Sequence, residues 1–156
     1  MMYRFPFEKL EVWHRAQDLL DLVYDLTDHF PREEKYEMVK QARRSVASVS
    51  ANLAEGSTRI SKKEQARFSE IAYSSLAETF SHLYAAQRRN YIKSEDIDAL
   101  RPVVFEITNK INALRKSQLK RWREQNGGGP SYLAEPKLHY GEGEDLPPLV
   151  EMESPR

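Results

Sequence analysis

The sequence predicts an all-α protein: an antiparallel up-down four-helix bundle followed by a disordered C-terminal tail. Three observations predict this fold class: apolar residues recur at helical spacing in four successive segments, breaks containing Pro, Gly or Asn separate these segments, and no stretch alternates as a strand does. The chain has 156 residues, enough for one domain with its own core. We assign residues 1–125 to the bundle and residues 126–156 to the tail.

The first two segments carry clear apolar patterns. The first has two stripes, which predicts a helix buried on two sides; the stripes are Leu10, Trp13, Leu20, Val23 and Phe30, and beside them Val12, Leu19 and Leu26. Pro31 ends it, because the residue before a proline is pushed out of the α region. The second segment has one seam with the 3, 4, 3, 4 spacing of bundle packing, formed by Val39, Ala42, Val46, Val49 and Leu53.

Small residues are frequent in the second segment, "QARRSVASVSANLAEGSTR". Ala47 and Ala51 lie opposite the seam, where they either let another backbone approach closely or only favour helix formation. Gly56 follows "NLAE" at the position of a left-handed C-cap, so we expect the second helix to end there.

The third segment begins with a predicted capping box, in which Ser61 and Glu64 each bond the other's backbone N–H. Asn90 is expected to end this helix in the left-handed region. Two stripes again run along the segment, formed by Phe68, Ala72, Ser75, Thr79 and Leu83, and by Tyr73, Leu76, Phe80 and Tyr84.

We expect Ser94 to cap the fourth helix. Its seam again alternates between spacings of 3 and 4 and comprises Ile97, Leu100, Val104, Ile107, Ile111, Leu114 and Gln118. Pro102 lacks the backbone donor for the Asp98 carbonyl. The helix therefore either kinks at Pro102 or begins near Leu100.

The tail differs from the bundle in composition and charge. It holds five of the six glycines and five of the eight prolines, without helical periodicity, which predicts disorder. Residues 1–125 carry 22 basic and 18 acidic side chains, whereas residues 126–156 carry 2 and 6. We favour the interpretation that the tail is acidic and solvated. The alternative is that its most apolar stretch, "DLPPLVEM", is a peptide that binds a partner.

Several classes of function are disfavoured. The chain has no cysteine, which excludes disulfides and thiolate metal sites and fits a cytoplasmic location. No stretch approaches the ~20 apolar residues of a membrane span. Gly-x-Ser-x-Gly and phosphate-binding glycine loops are absent, and "EVWH" at 11–14 is a lone Glu-x-x-His where a di-iron bundle needs two. We therefore expect that the protein is not an enzyme and has no catalytic residue, no metal and no cofactor.

Basic residues are the remaining indication of function in the sequence. The candidate nucleic-acid contacts are Arg43, Arg44, Arg59, Lys62, Lys63, Arg67, Lys116, Lys120 and Arg123. Clustered cations suit phosphate contacts, although cations near helix C-termini also favour the helix dipole and solubility. Arg44 projects away from its seam, whereas Arg43 flanks the seam and could pair with an acid on a neighbouring helix.

Five stretches of the chain, "FEKLEVWHRAQDLLDLVYDLT", "FPREEKYEM", "QARRSVASVSANLAEG", "FSEIAYSSLAE" and "RRNYI", resemble a known family. They are similar to bacterial four-helix bundle proteins of the 23S rRNA intervening-sequence type, over about residues 5–115. The resemblance implies a bundle that closes into a homopentamer. A related accessory protein of diversity-generating retroelements is similar in shape, binds nucleic acid through basic surface and partners a reverse transcriptase.

The double stripes and the resemblance together predict self-association. We expect the predicted association surface to consist of Tyr73, Leu76, Phe80, Tyr84, Val12, Leu19 and Leu26. An exposed aromatic patch of this kind would be unusual in a monomer.

The leading hypothesis is a non-enzymatic homo-oligomeric bundle that binds RNA or DNA with little sequence preference. The alternative is a protein–protein scaffold that recruits a partner, for example a reverse transcriptase, without touching nucleic acid.

Overall fold

The computed structural model describes residues 2–34 and 36–127. Its four α-helices are α1 (Glu11–Thr27), α2 (Met38–Thr58), α3 (Lys62–Arg88) and α4 (Ser94–Gln125), with short 3-10 turns at Pro6–Lys9 and Arg32–Glu34. Each helix packs on the next in the chain, and α1 also contacts α4. These described residues contain no strand, so the predicted all-α four-helix class is confirmed. Beyond Gly127, the predicted tail lies outside the described residues.

The predicted seams of α2 and α4 form the core. All five residues of the α2 seam are buried. In α4, Val104 and Leu114 are half-buried, and the other five seam residues are buried. The 3, 4 spacing therefore identified the inward faces of both helices correctly, because residues three and four apart share one side of a helix.

The first helix is shorter than predicted. It ends at Thr27, and the Phe30 N–H bonds to the Thr27 carbonyl at 3.2 Å, the tight i to i+3 bond common after a last turn. Phe30 is buried and its ring lies 5.7 Å from that of Tyr91. The chain therefore leaves the helix early so that Phe30 can close one end of the core.

Gly56 does not end α2, which continues to Thr58. Gly56 is buried within the helix, and a Cβ added to it would lie 2.8 Å from the Cβ of Phe68. The expected left-handed cap was therefore wrong: this position needs glycine because α3 approaches the backbone of α2 too closely for any side chain.

The small polar residues of α2 face α3. The Thr79 hydroxyl donates to Ser45 Oγ at 3.0 Å, and the hydroxyls of Ser48 and Ser75 are also 3.0 Å apart. Small side chains let two helices approach closely, and the hydroxyl pairs satisfy one another across the contact. Of the two alanines opposite the seam, Ala47 is half-buried and Ala51 is exposed, so neither is fully buried by another helix of this chain.

The predicted helix caps were only partly right. Asn90 has φ 59°, as expected for a left-handed terminator. Ser61 occupies the N-cap position of α3, but its side chain makes no capping bond. In α4 the cap is one residue earlier than predicted, because the Lys93 N–H donates to Asp96 Oδ2 at 2.8 Å.

α4 begins at Ser94 and runs without interruption past Pro102. The proposed start near Leu100 was therefore wrong. The ring of Pro102 lies on the exposed side of the helix.

Ion pairs join α1 to α4. Arg15 Nη2 lies 2.6 Å from Glu106 Oε2, and Lys110 Nζ lies 2.8 Å from Glu11 Oε1. The hydrogen bond from Arg15 and the positive charge of Arg15 lower the pKa of Glu106 below its ordinary value. These pairs span the groove between the first and last helices, so they help to close the bundle.

The predicted association surface is largely inside the single chain. Val12, Leu19 and Leu76 are 5%, 1% and 2% exposed. Leu26, Tyr73 and Phe80 are half-buried, and only Tyr84 is classed as exposed. The expectation of an exposed patch containing Leu76 was wrong, because α3 packs on both α2 and α4 and so needs two apolar faces within one subunit.

The close contact at Gly56 predicts that an alanine at this position destabilises the protein, although alanine normally stabilises a helix relative to glycine. Helix propensity alone favours Gly56→Ala by about 1 kcal/mol. We expect the opposite: the new Cβ meets Phe68, and the free energy of unfolding in urea falls by about 1–3 kcal/mol. Ser74→Ala, at an exposed position of α3, is the control. A more stable Gly56→Ala variant would contradict the close-approach account.

Candidate nucleic-acid interface

The antiparallel fold places the start of α3 beside the end of α4. Lys63 Nζ lies 5.4 Å from the centre of the Trp122 ring, and the Ser69 hydroxyl donates to Gln118 Oε1 at 2.8 Å. Two predicted groups of cations, far apart in the sequence, therefore meet at one end of the bundle. We call residues 55–70 and 113–127 the basic end.

The basic end carries nine basic and four acidic side chains. The acids are Glu55, Glu64, Glu70 and Glu124. Each of them forms an ion pair with a neighbouring cation, at distances between 3.4 and 3.9 Å for three of the four pairs. The surplus positive charge is shared among the remaining cations, and it is available for phosphate groups.

The predicted contacts near the start of α3 are partly engaged. Arg59 pairs with Glu55, and its guanidinium lies 4.7 Å from the centre of the Phe68 ring. Lys62 Nζ donates to Gln65 Oε1 at 3.0 Å, and Arg67 lies 3.4 Å from Glu64. The polar partners of these cations are close in sequence and partly exposed, so phosphates can replace them at little cost.

The contacts on α4 are more open. Lys120 Nζ lies 3.9 Å from Glu124, the loosest ion pair of the basic end. The side chains of Lys116 and Arg123 make no hydrogen bond or ion pair with any residue that the structure describes. Trp122 is an addition that the sequence reasoning missed, although its position in the basic run "LKRWRE" was a usable signal.

Arg43 is a structural residue. Its Nε donates to Thr27 Oγ1 at 2.8 Å, its Nη2 lies 2.6 Å from Asp28 Oδ1, and its guanidinium lies 4.4 Å from the centre of the Tyr24 ring. The alternative role considered from sequence, an ion pair with a neighbouring acid, is the one observed. Arg43 ties α2 to the C-terminal turn of α1.

Arg44 is exposed but distant from the basic end. It lies fourteen residues before the end of α2, which is about 20 Å along the helix axis. Lys40 and Arg88 share that opposite region of the bundle, because α2 starts where α3 ends. The structure therefore separates Arg44 from the other predicted contacts.

An apolar groove lies between α3 and α4. It has a volume of about 470 Å³ and is lined by Phe80, Arg101, Pro102, Val104, Phe105 and Thr108. Phe105 is 65% exposed. Arg101 covers one side, 5.8 Å from the ring centres of both Phe80 and Tyr84. The hydrogen bonds that its guanidinium donates to Asp98 and to the Tyr84 hydroxyl raise the Arg101 pKa above its ordinary value. Sequence reasoning missed Phe105.

The lone Glu-x-x-His motif is engaged elsewhere. Glu11 pairs with Lys110, and His14 Nε2 lies 2.9 Å from the carbonyl oxygen of Glu8. Residues 2–34 and 36–127 contain no group of three or more His, Cys, Asp or Glu side chains able to hold a metal ion. Within the same residues, no helix has the length and apolar character needed to cross a bilayer.

Fold and surface together define a four-helix bundle with cations concentrated at one end and an apolar groove on one side. The sequence profile of the 23S rRNA-intervening sequence protein family matches residues 8–113. The chain belongs to that family, as its motifs indicated. No curated protein matches the chain in sequence.

A solved structure confirms the fold. It is the crystal structure of a protein of unknown function from the S23 ribosomal protein family of Bacteroides thetaiotaomicron. The two proteins share 24% sequence identity with a TM-score of 0.62, over 67% of this chain and 95% of the other. At this identity the likeness concerns the fold alone.

The neighbouring arginines of α2 provide a matched pair of variants. Arg43→Ala removes bonds to Thr27 and Asp28, so we expect the free energy of unfolding to fall by about 1–2 kcal/mol. Arg44→Ala removes an exposed side chain and should change it by less than about 0.5 kcal/mol. Urea denaturation measures both. Equal effects would contradict the structural role of Arg43.

Proposed function

We propose that the chain is a non-enzymatic, cytoplasmic bundle that binds nucleic acid, RNA in particular, through its basic end. The observation that carries this proposal is the meeting of two cationic segments, one at the start of α3 and one at the end of α4. The contacts are Arg59, Lys62, Lys63, Arg67, Lys116, Lys120 and Arg123. Arg43 is left out because it is bound within the chain, and Arg44 because it lies too far away.

The chemistry of the basic end favours recognition of the nucleic-acid sugar–phosphate backbone. Lysine acts as a point charge on phosphate, and arginine donates a fork of N–H groups. The exposed groups at this end are mostly charged, with few amide side chains of the kind that read base edges. We therefore expect binding that depends strongly on salt and weakly on sequence. The choice of RNA is supported by the name of the family, which refers to 23S rRNA.

A charge-reversal experiment tests the proposal. In the test variant, Lys63, Lys116 and Lys120 are each replaced by Glu. We expect it to bind a fluorescent RNA at least about tenfold more weakly at low salt, because unfavourable charges replace phosphate contacts. The slope of log K against log salt concentration should become shallower by roughly 3. Fluorescence anisotropy across a salt series measures both quantities.

The control carries the same change of charge at the other end of the bundle. Lys40, Arg44 and Arg88 are exposed, and none of them pairs with another described residue. Replacing these three with Glu should weaken binding far less. Equal losses in the two variants would mean that only the overall charge matters. Wild-type protein that binds no RNA at low salt would refute the proposal.

We also propose that the bundle assembles with copies of itself. The resemblance implies a pentamer, and support comes from the groove that Phe80 and Phe105 line together, in which Phe105 is 65% exposed. Large exposed apolar patches commonly mark sites of association. Burial of Leu76 moves the proposed contact outward, from the core stripe of α3 to this groove.

Light scattering tests the assembly. Wild-type protein should have about five times the 18.2 kDa mass of one chain. Phe105→Glu should lower the mass towards one chain while the helical circular dichroism is kept, because the side chain is exposed and its charge would be buried in the assembly. Ala99→Glu, exposed on another side of α4, should leave the mass unchanged. A monomeric wild type would contradict the proposal.

The second candidate function is a scaffold that recruits a protein partner, such as a reverse transcriptase. The apolar groove is the observation that favours it, because such grooves suit partner side chains. The charge-reversal experiment separates the two functions: a scaffold keeps its partner when the basic end is reversed, and it shows no salt-dependent RNA binding in the first place.

A further inference from the structure

The segment before α1 carries a file of aromatic rings. The ring centres of Tyr3 and Phe5 are 5.2 Å apart, those of Phe5 and Phe7 are 5.6 Å apart and nearly parallel, and those of Phe7 and Trp13 are 4.9 Å apart. We call these four residues the aromatic file. It runs from the surface of α1 outward to the beginning of the described chain.

The two ends of the aromatic file differ in exposure. Phe7 and Trp13 are half-buried against the bundle, whereas Tyr3 is 76% and Phe5 49% exposed. The outer rings add little to the hydrophobic core, since neither belongs to the buried core cluster and each leaves about half or more of its surface in water. Their inner neighbours hold them in a row that projects from the protein.

Hydrogen bonds fix the backbone beneath the rings. The Phe5 N–H donates to Glu8 Oε1 at 2.7 Å, the Leu10 N–H donates to the Phe7 carbonyl at 2.8 Å, and His14 Nε2 lies 2.9 Å from the Glu8 carbonyl. The 3-10 turn Pro6–Lys9 is therefore attached to the first turn of α1. The backbone that carries Phe5 and Phe7 is therefore fixed, and Tyr3 packs edge-on against the Phe5 ring. This order before any ligand arrives lowers the entropic cost of binding.

Two free cations lie beside the outer rings. Arg4 and Lys9 are exposed, and their side chains pair with no other residue in the described part of the chain. With Met2 and Tyr3 they line an open groove of about 440 Å³. The nearby Glu8 carboxylate is engaged by the Phe5 N–H. Exposed rings beside free cations form the combination that binds single-stranded nucleic acid elsewhere.

The aromatic file lies in the half of the molecule that contains the basic end. Glu11, the first residue of α1, pairs with Lys110, three residues before the α4 part of the basic end. The 3-10 turn contacts α2 as well as α1. The C-terminal turn of α1 is bound to Arg43, near the start of α2. Since the two helices are antiparallel, the start of α1 lies towards Thr58, where α2 ends and the basic end begins.

We propose that Tyr3 and Phe5 stack on unpaired bases of a single-stranded RNA while Arg4 and Lys9 contact its phosphates. This inference rests on the proposed function and adds the class of substrate: a single strand, because bases in a duplex are already stacked and cannot reach an exposed ring. Stacking accepts any base, so it fits binding with little sequence preference.

The experiment compares three labelled RNAs by fluorescence anisotropy at one salt concentration: a strand of about twelve uridines, an abasic strand of equal length and charge, and a duplex. Wild-type protein should bind the uridine strand about tenfold more tightly than the abasic one. The Y3L/F5L double variant keeps apolar bulk but loses the rings, so it should lose this preference and keep the salt slope. The Y3L single variant should lose part of the preference for the uridine strand.

Tyr36→Leu is the matched control, because it removes an exposed ring that lies before the start of α2, outside the aromatic file, and should keep the preference. A wild type that binds the uridine and abasic strands equally, or a double variant that keeps the preference, overturns the stacking inference and leaves the proposed function standing. Failure of the wild type to bind any of the three RNAs at low salt overturns both.

Discussion

The close packing of α2 against α3 is the constraint on which the rest of the structure depends. Gly56 has no side chain because the Cβ of Phe68 occupies the space that a Cβ would need. Along the same contact, the hydroxyl pair of Ser45 and Thr79 is satisfied without water. Because α3 is held this closely on one side and packs on α4 on the other, it is buried on two faces within one subunit. The same register brings the start of α3 beside the end of α4 and so creates the basic end.

Sequence patterns predicted the fold class and the inward faces of α2 and α4, because a 3, 4 spacing has only one helical interpretation. They failed where the identity of the neighbour decides the outcome. A glycine after a helical pattern can either end the helix in a left-handed turn or allow another helix to approach closely, and the sequence does not distinguish the two. Gly56 does the second. The second stripe of α3 indicates burial without saying by what, and Leu76 is covered by its own chain rather than by another subunit.

The candidate site shows the same division. The sequence identified both cationic segments, but their meeting depends on antiparallel register, which is a tertiary property. It could not separate Arg43 from Arg44, which are adjacent in sequence but have different surroundings: one guanidinium is bound by Thr27 and Asp28, and the other is free in solvent. Trp122 and Phe105 were missed because single aromatic residues on charged helices carry no periodic signal. The exposed rings of Tyr3 and Phe5 were missed because these residues precede the first helical pattern.

A surface that binds phosphate at one end of the bundle, with aromatic rings nearby, is the central claim of this account. Lysine acetylation with and without RNA, read by mass spectrometry, tests it most directly, because bound phosphate shields an amine from the reagent. We predict that RNA protects Lys62, Lys63, Lys116 and Lys120, whereas Lys40 and Lys93 at the other end react as before. Protection of Lys40 and Lys93 instead, or an equal change at all lysines, would contradict it.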